Sequence, residues 1–380
     1  MRSGYCDEVA EEEGPPPSLT PEYLRGHFLQ GLLTDGQALH TINTATDIFS
    51  REPDLVHIES PVTICGDICG KYARLVYMIP LGTSLNLIAR NYATGGAQGI
   101  EVSPCVPLCR ALPSNPCQCL LYLYALKIHN PGRIVLLRGC YESRHSSESF
   151  TFKREYTVYE AFLRSFCTLP ISALVDKKLF YVHGGISPGL NTLKDIDQAR
   201  SFASYINRFV EIGSYRLLCD LLCSDPFSDF DKETEPTTNS LDLASRETFI
   251  YRNMRSGKLS GSYTYEGVCQ FLDLNDLLVV INGHGARTSD GYRMYRRTKK
   301  NNLSVITISS VSNYRNTPRI PGVFLIFSKE MLIRQFVSYP AANSARRIID
   351  TRRGVIGRFM LLLKMIRCAY YLFAPCAHSD

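Results

Sequence analysis

PVTICGDICG, residues 61–70, is the stretch on which the fold turns. Val62 to Cys65 is a short apolar run that reads as a buried strand. It ends on Gly66-Asp67-Ile68-Cys69-Gly70, a polar turn bracketed by glycines. A strand anchors such a loop while the loop stays polar enough to carry chemistry. The same order returns along the chain. Arg133 to Leu137 precedes Arg138-Gly139-Cys140-Tyr141-Glu142, Leu179 to Val182 precedes His183-Gly184-Gly185-Ile186-Ser187-Pro188, and Leu277 to Ile281 precedes Gly283-His284-Gly285. Further strands are expected at Leu303 to Ile308 and Val323 to Phe327, and helical periods at Ala38 to Phe49, Cys119 to His129 and Val158 to Phe166. This alternation predicts an α/β (or α+β) layout with four polar loops able to converge on one site. Gly66, Gly70, Gly139, Gly184 and Gly185 are expected to serve tight turns there.

The composition narrows the function classes. The 380 residues, 45% hydrophobic and 21% charged, supply a sizeable core and argue against extended disorder. Apolar runs stop short of the roughly 18 residues a membrane span needs. A net charge of +6 is too small for this length to indicate nucleic-acid binding. The acidic start, Met1 to Glu13, does not read as a signal peptide, and 14 cysteines lie below the density of a disulfide scaffold. A cytoplasmic protein with reduced thiols is expected.

Residues 1–19 read as a flexible leader. Thr20-Pro21-Glu22 then supplies a cap and an N1 proline for a helical period through Tyr23, Leu24, Phe28 and Leu32. Residues 95–117, GGAQGIEVSPCVPLCRALPSNPC, read as a long loop. Cys105, Cys109, Cys117 and Cys119 are either zinc ligands with one unfavourably close pair or, for Cys119, helix core. Between 344 and 373, Val355, Ile356, Phe359, Leu363, Ile366, Tyr370 and Phe373 recur at helical spacing. Arg346, Arg347, Arg352, Arg353, Arg358, Lys364 and Arg367 make that stretch strongly basic.

PVTICGDICG, LYLYALKIHNPGRIVLLRGCYESRH, FTFK, FYVHGGISPGLNTLKDI, CDLLCSDP, DGYRMYR and ITISSVSNY follow one another in an order that resembles the metallophosphoesterases of the phosphoprotein-phosphatase family. FTFK, DGYRMYR and the IRQF of Ile333 to Phe336 resemble its calcineurin branch. The resemblance covers roughly residues 18–340. It implies a metallophosphatase fold, a central two-sheet β-sandwich flanked by helices, with the site at strand ends on one edge. The expected organisation is a leader (1–19), a phosphatase domain (20–340) and a basic amphipathic C-terminal helix (341–380).

The family's chemistry uses two bridged metal ions, an activated water, a histidine that protonates the leaving group, and phosphate-holding arginines. By that resemblance Asp67, His183 and His284 retain metal-ligand residues. Cys69, Cys140 and Asn91 stand at ligand positions that carry other residues in the family. Tyr141 occupies the proton-donor position, Tyr314 matches an active-site tyrosine, and Asn282 replaces an arginine. Thr94 and Gly95 replace the aspartate behind the proton donor and another arginine, and a further arginine falls near Arg252 to Gly257. No catalytic proton donor is intact. These replacements predict a pseudophosphatase acting through protein binding and argue against a two-metal centre. The alternative is a divergent metal-dependent phosphatase, acting on phosphoserine or phosphothreonine with a rebuilt site. Cys140, His183 and His284, with Asn91, would suit a single zinc or other divalent ion. The bland alternative is that Cys69 and Cys140 merely fill the pocket.

The resemblance also implies a partner for residues 344–373, because the calcineurin branch binds an EF-hand regulatory subunit through a helix at this place. Val355, Ile356, Phe359, Leu363, Ile366 and Tyr370 are the expected contact residues. Calmodulin, an anionic membrane surface or packing on the chain's own domain are the other readings of a basic amphipathic helix.

Overall fold

The computed structural model describes residues 20, 21, 23, 24, 33–68, 72, 75, 86–90, 116–140, 142, 158–198, 216–232, 249–250, 261–284, 290–310, 321–327 and 333–339. The helix expected to begin after Thr20 does so, Pro21, Tyr23 and Leu24 being helical and the Tyr23 amide donating to the Thr20 hydroxyl at 3.1 Å; Phe28 and Leu32 lie outside the described residues. Helix α1 (Asp35–Phe49) opens on a capping box in which Thr34 and Gln37 exchange side-chain and backbone hydrogen bonds. Its Ala38, Ile42, Ala45 and Phe49 form one buried stripe.

Two mixed sheets follow. One has the order β1 (Leu55–Ile58), β5 (Ser172–Val175), β6 (Leu179–Val182), β10 (Val279–Asn282), β12 (Val305–Ile308), β11 (Tyr292–Met294). The other runs β14 (Ile333–Tyr339), β13 (Gly322–Phe327), β2 (Val62–Asp67), β3 (Asn86–Arg90), β4 (Ile134–Leu137). A small third sheet joins β7 (Asp225–Pro226), β9 (Ser262–Tyr263) and β8 (Phe249–Ile250).

The strands read as nearly continuous apolar runs because both faces are buried, yet each alternates in what it touches. Val62 and Ile64 of β2, Leu179 and Tyr181 of β6, Val279 and Ile281 of β10, and Leu325 and Phe327 of β13 meet in one core between the sheets. Cys65, Leu136 and Phe324 face the other way, onto α1, α2 (Pro116–His129) and α3 (Tyr159–Thr168). Phe180, Val182 and Val280 pack against α4 (Arg216–Cys223) and α5 (Tyr265–Leu274). The result is the expected sandwich of two sheets with helices on both outer faces. Among the described residues no helix is long and apolar enough to cross a membrane.

One boundary is corrected. Pro116 and Cys117, read above as the end of a loop, belong to α2, where proline suits the first helical turn and Cys117 and Cys119 enter the core. The remainder of 95–117, with Cys105 and Cys109, lies outside the described residues, as do 1–19 and 341–380.

Candidate functional site

β6 and β10 are parallel neighbours in one sheet, and β2, β3 and β4 are parallel in the other, so their carboxyl ends gather along shared edges. The two edges coincide. Asp67 closes β2 and also bridges to Ser309, just past β12 of the opposite sheet. Gly66 explains the closeness: a Cβ there would stand 2.4 Å from the Ile308 carbonyl oxygen. The glycine therefore serves sheet-to-sheet approach rather than a left-handed turn.

His183 follows β6 directly and is fully buried. Its Nδ1 lies 2.5 Å from the Leu222 carbonyl oxygen, which can only accept, so Nδ1 carries the proton. The opposite ring nitrogen, Nε2, stands 3.3 Å from Asp67 Oδ1, an oxygen that makes no hydrogen bond. A neutral imidazole would aim its lone pair at that carboxylate oxygen. Two acceptors at this separation repel unless a proton or a metal cation lies between them.

His284, past the end of β10, is a quarter exposed and sets its ring 5.2 Å from that of His183. Its Nδ1 bonds Asp225 Oδ1 at 2.7 Å. Burial pulls the imidazole's affinity for a proton down. The charge and hydrogen bond of Asp225, helped by Cys223 and Asp67, outweigh it and lift the pKa to about 9.

The loop after β4 is pinned from several directions. The Arg138 amide donates to Pro170 O, its buried Nε donates to Glu142 O at 3.0 Å, and the Gly139 amide donates to Glu142 Oε2 at 2.9 Å. Cys140, held on this loop, is buried and hydrogen-bonded to Cys223, the last residue of α4. Burial, followed by that bond and the charges of Cys223, Asp67 and Glu142, pushes the Cys140 thiol well above its ordinary range. The same bond, stronger than the effect of burial and aided by His284, lowers Cys223.

Asn282 sits where the resemblance places an arginine, and its side chain faces inward. Nδ2 donates to Gly184 O at 2.7 Å and Tyr263 Oη at 2.8 Å, while Thr307 Oγ1 donates to Oδ1 at 2.5 Å. Gly184 belongs to this knot for a steric reason: a Cβ there would lie 2.6 Å from the Cys223 amide nitrogen.

The structure thus brings Asp67, Cys140, His183 and His284 to one place. His284 Nδ1 is engaged by Asp225 and Cys140 by Cys223. Among the described residues no group of three His, Cys, Asp or Glu could hold a metal ion. Asp67 and His183 form a two-donor corner; the described residues do not make up the donor set of a two-metal centre. Cys69, Asn91, Tyr141, Tyr314, Thr94, Gly95 and the stretch near Arg252 to Gly257 lie outside the described residues, as do Val355, Ile356, Phe359, Leu363, Ile366 and Tyr370. Asn91 directly follows β3, whose place between β2 and β4 brings that strand end to the same edge. Sequence reading passed over Cys223 and Asp225. Their signal was available in CDLLCSDP, where a short helix stops on Cys223-Ser224-Asp225-Pro226.

Residues 60–287 match the calcineurin-like phosphoesterase family. Two curated relatives from Saccharomyces cerevisiae are similar. Serine/threonine-protein phosphatase 2B catalytic subunit A2 is 34% identical over 88% of this chain and 55% of its own length. Catalytic subunit A1 of the same phosphatase is 36% identical over 84% of this chain and 54% of its own. The chain therefore spans about half the length of the curated relatives it matches. A solved protein serine/threonine phosphatase from Saccharomyces cerevisiae, described as similar to human phosphatase PP5, superposes with a TM-score of 0.60. It covers 85% of this chain and 97% of that one at 19% identity, a likeness of fold.

Proposed function

The chain belongs to the calcineurin-like phosphoesterases, a family whose active members use divalent metal, and from that premise we propose that it is a pseudophosphatase: a serine/threonine phosphatase homologue that acts by binding proteins. The observation that carries this reading is Cys140. At a position where the family places a metal-binding asparagine, it offers a buried thiol committed to Cys223. Asn282 supports the same conclusion, since its amide is spent on Gly184, Tyr263 and Thr307 and its short side chain supplies no charge for a phosphate. Loss of general acid catalysis alone removes about 10²–10⁴-fold in rate. In this reading the site keeps at most one divalent ion, zinc or another, at the corner of Asp67 Oδ1 and His183 Nε2, whose facing acceptors favour a cation between them.

Phosphate release from a phosphoserine or phosphothreonine peptide, with added Mn²⁺ or Zn²⁺, tests the reading. The expected release equals the enzyme-free background and is unchanged by Cys140→Ala or His284→Ala. Turnover that both substitutions abolish would establish the divergent phosphatase instead.

The protein-binding role falls, in this proposal, to residues 344–373, with an EF-hand protein as partner. The basic amphipathic pattern of the segment and its place after the phosphatase domain support it. Immobilised full-length chain is expected to retain calcium-loaded calmodulin or an EF-hand regulatory subunit, and a chain lacking 341–380 to lose it. Equal recovery by both would remove the claim.

A further inference from the structure

Just past β12 the chain reaches the seam between the two sheets, where Ser309 is the parallel bridge partner of Asp67. The approach is close. The Gly66 amide donates to Ser310 Oγ at 2.8 Å, Ser310 Oγ donates to Val323 O at 2.6 Å, and a Cβ on Gly66 would stand 2.4 Å from the Ile308 carbonyl oxygen. Ser309 uses both of its backbone groups: its amide donates to Gly291 O and its carbonyl accepts from the Val323 amide, each at 2.8 Å. Its hydroxyl is different. The residue is 3% exposed, and Oγ is buried with no hydrogen-bond partner among the described residues. Two relations set that oxygen beside the Asp67 carboxylate. Bridge partners stand about 4.8 Å apart and carry their side chains on one face. By strand alternation Ser309 also shares the face of Thr307, whose Oγ1 donates to Asn282, and Asn282 in turn donates to Gly184 O, next to His183. Asp67 Oδ1 is likewise buried without a hydrogen bond, 3.3 Å from His183 Nε2. Two neighbouring buried oxygens in this condition point to a bound group that both of them contact.

We propose that Ser309 Oγ is a third ligand, beside Asp67 Oδ1 and His183 Nε2, for a single divalent cation that ties the two sheets together at their seam. The proposal rests on the one-ion reading of that corner given above. The set is one carboxylate oxygen, one neutral hydroxyl oxygen and one imidazole nitrogen, with water for the remaining positions. Oxygen donors suit hard ions such as Mn²⁺, while the imidazole keeps zinc acceptable, so the serine hydroxyl biases the corner away from zinc. The three ligands come from the ends of β2 in one sheet and of β6 and β12 in the other. An ion held by all three braces the site's edge, a structural service that needs no proton donor.

The test titrates the full-length, chelator-treated chain with Mn²⁺, reading the free ion by its electron paramagnetic resonance signal, and with Zn²⁺ by competition against a chromogenic chelator. The parent chain is expected to bind one Mn²⁺, and Asp67→Asn to abolish that binding. Ser309→Ala should weaken Mn²⁺ by about tenfold or more. Ser309→Cys should weaken Mn²⁺ to a similar degree and tighten Zn²⁺, a reversal that a serine with only a packing role does not produce. Each Ser309 substitution removes or exchanges a single heavy atom, and far-ultraviolet circular dichroism checks that the fold is kept. If Asp67→Asn loses the ion while both Ser309 variants keep the parent affinities, the one-ion corner stands and the role of Ser309 is overturned. A parent chain that binds neither Mn²⁺ nor Zn²⁺ overturns both.

Discussion

Two buried ionic sites of this protein are built on opposite logic. In the helical layer, Lys127 of α2 is wholly enclosed. Its ammonium donates to the Glu52 carboxylate, to Pro131 O at 2.9 Å and to Ile134 O at 2.7 Å, so every donor finds an acceptor. Burial, followed by the opposing influence of Glu52, still lowers its pKa, but the protein itself supplies the compensation. At the sheet edge, Asp67 Oδ1 and His183 Nε2 present an acceptor to a ring nitrogen across 3.3 Å with no hydrogen bond to the oxygen. The scaffold's charge is complete within the fold; the site's acceptors call for a proton or a cation from outside.

The widest contrast comes from removing one partner at each place in metal-free protein. Lys127→Ala leaves Glu52 and two carbonyls buried without their cation and is expected to cost about 3–5 kcal/mol. Asp67→Asn turns one of the two facing acceptors into a donor toward His183 and is expected to stabilise by about 0.5–1.5 kcal/mol. Urea midpoints measure both. A loss from Asp67→Asn as large as that from Lys127→Ala would erase the distinction between the two sites.

A smaller effect sharpens the comparison through pH. His284 has a folded pKa of about 9 against 6.5 for the free side chain, so it binds its proton more tightly when folded. Its contribution is fully present below pH 6.5, declines as pH rises and is gone above about pH 9, at most about 3 kcal/mol in all. Unfolding midpoints at pH 6 and pH 10 should show this loss, and Asp225→Asn should shrink it. A variant that keeps the full pH dependence would show that Asp225 is not its source.

The fold was legible where the signal was long or repeated. Strands Val62–Asp67, Ile134–Leu137 and Leu179–Val182, each leading into a polar loop, were visible as apolar runs because their two faces are both covered. Leu55–Ile58, Asn86–Arg90 and Ser172–Val175 escaped notice, because His57, Asn86, Arg90 and Ser172 break or shorten the apolar runs that mark the other strands. At the site, Asp67, Cys140, His183 and His284 were found by motif. Cys223 and Asp225 were not: CDLLCSDP marks the end of a helix, but that this end docks against β6 is a contact no local pattern records. Gly66 and Gly184 were located correctly, but at both it is the nearness of other backbone, rather than turn geometry, that excludes a side chain; Gly70 lies outside the described residues.

Asn282 makes one closed pocket answerable to several elements at once. Its amide ties the end of β10 to the loop after β6, to β9 and to β12, in a space with no exposure to solvent. An arginine at that position would bring a longer, charged side chain into that pocket and release Tyr263, Thr307 and Gly184 from their shared partner. Its neighbours would have to change with it, so a substitution here is held back, as by a ratchet, by every element the amide ties.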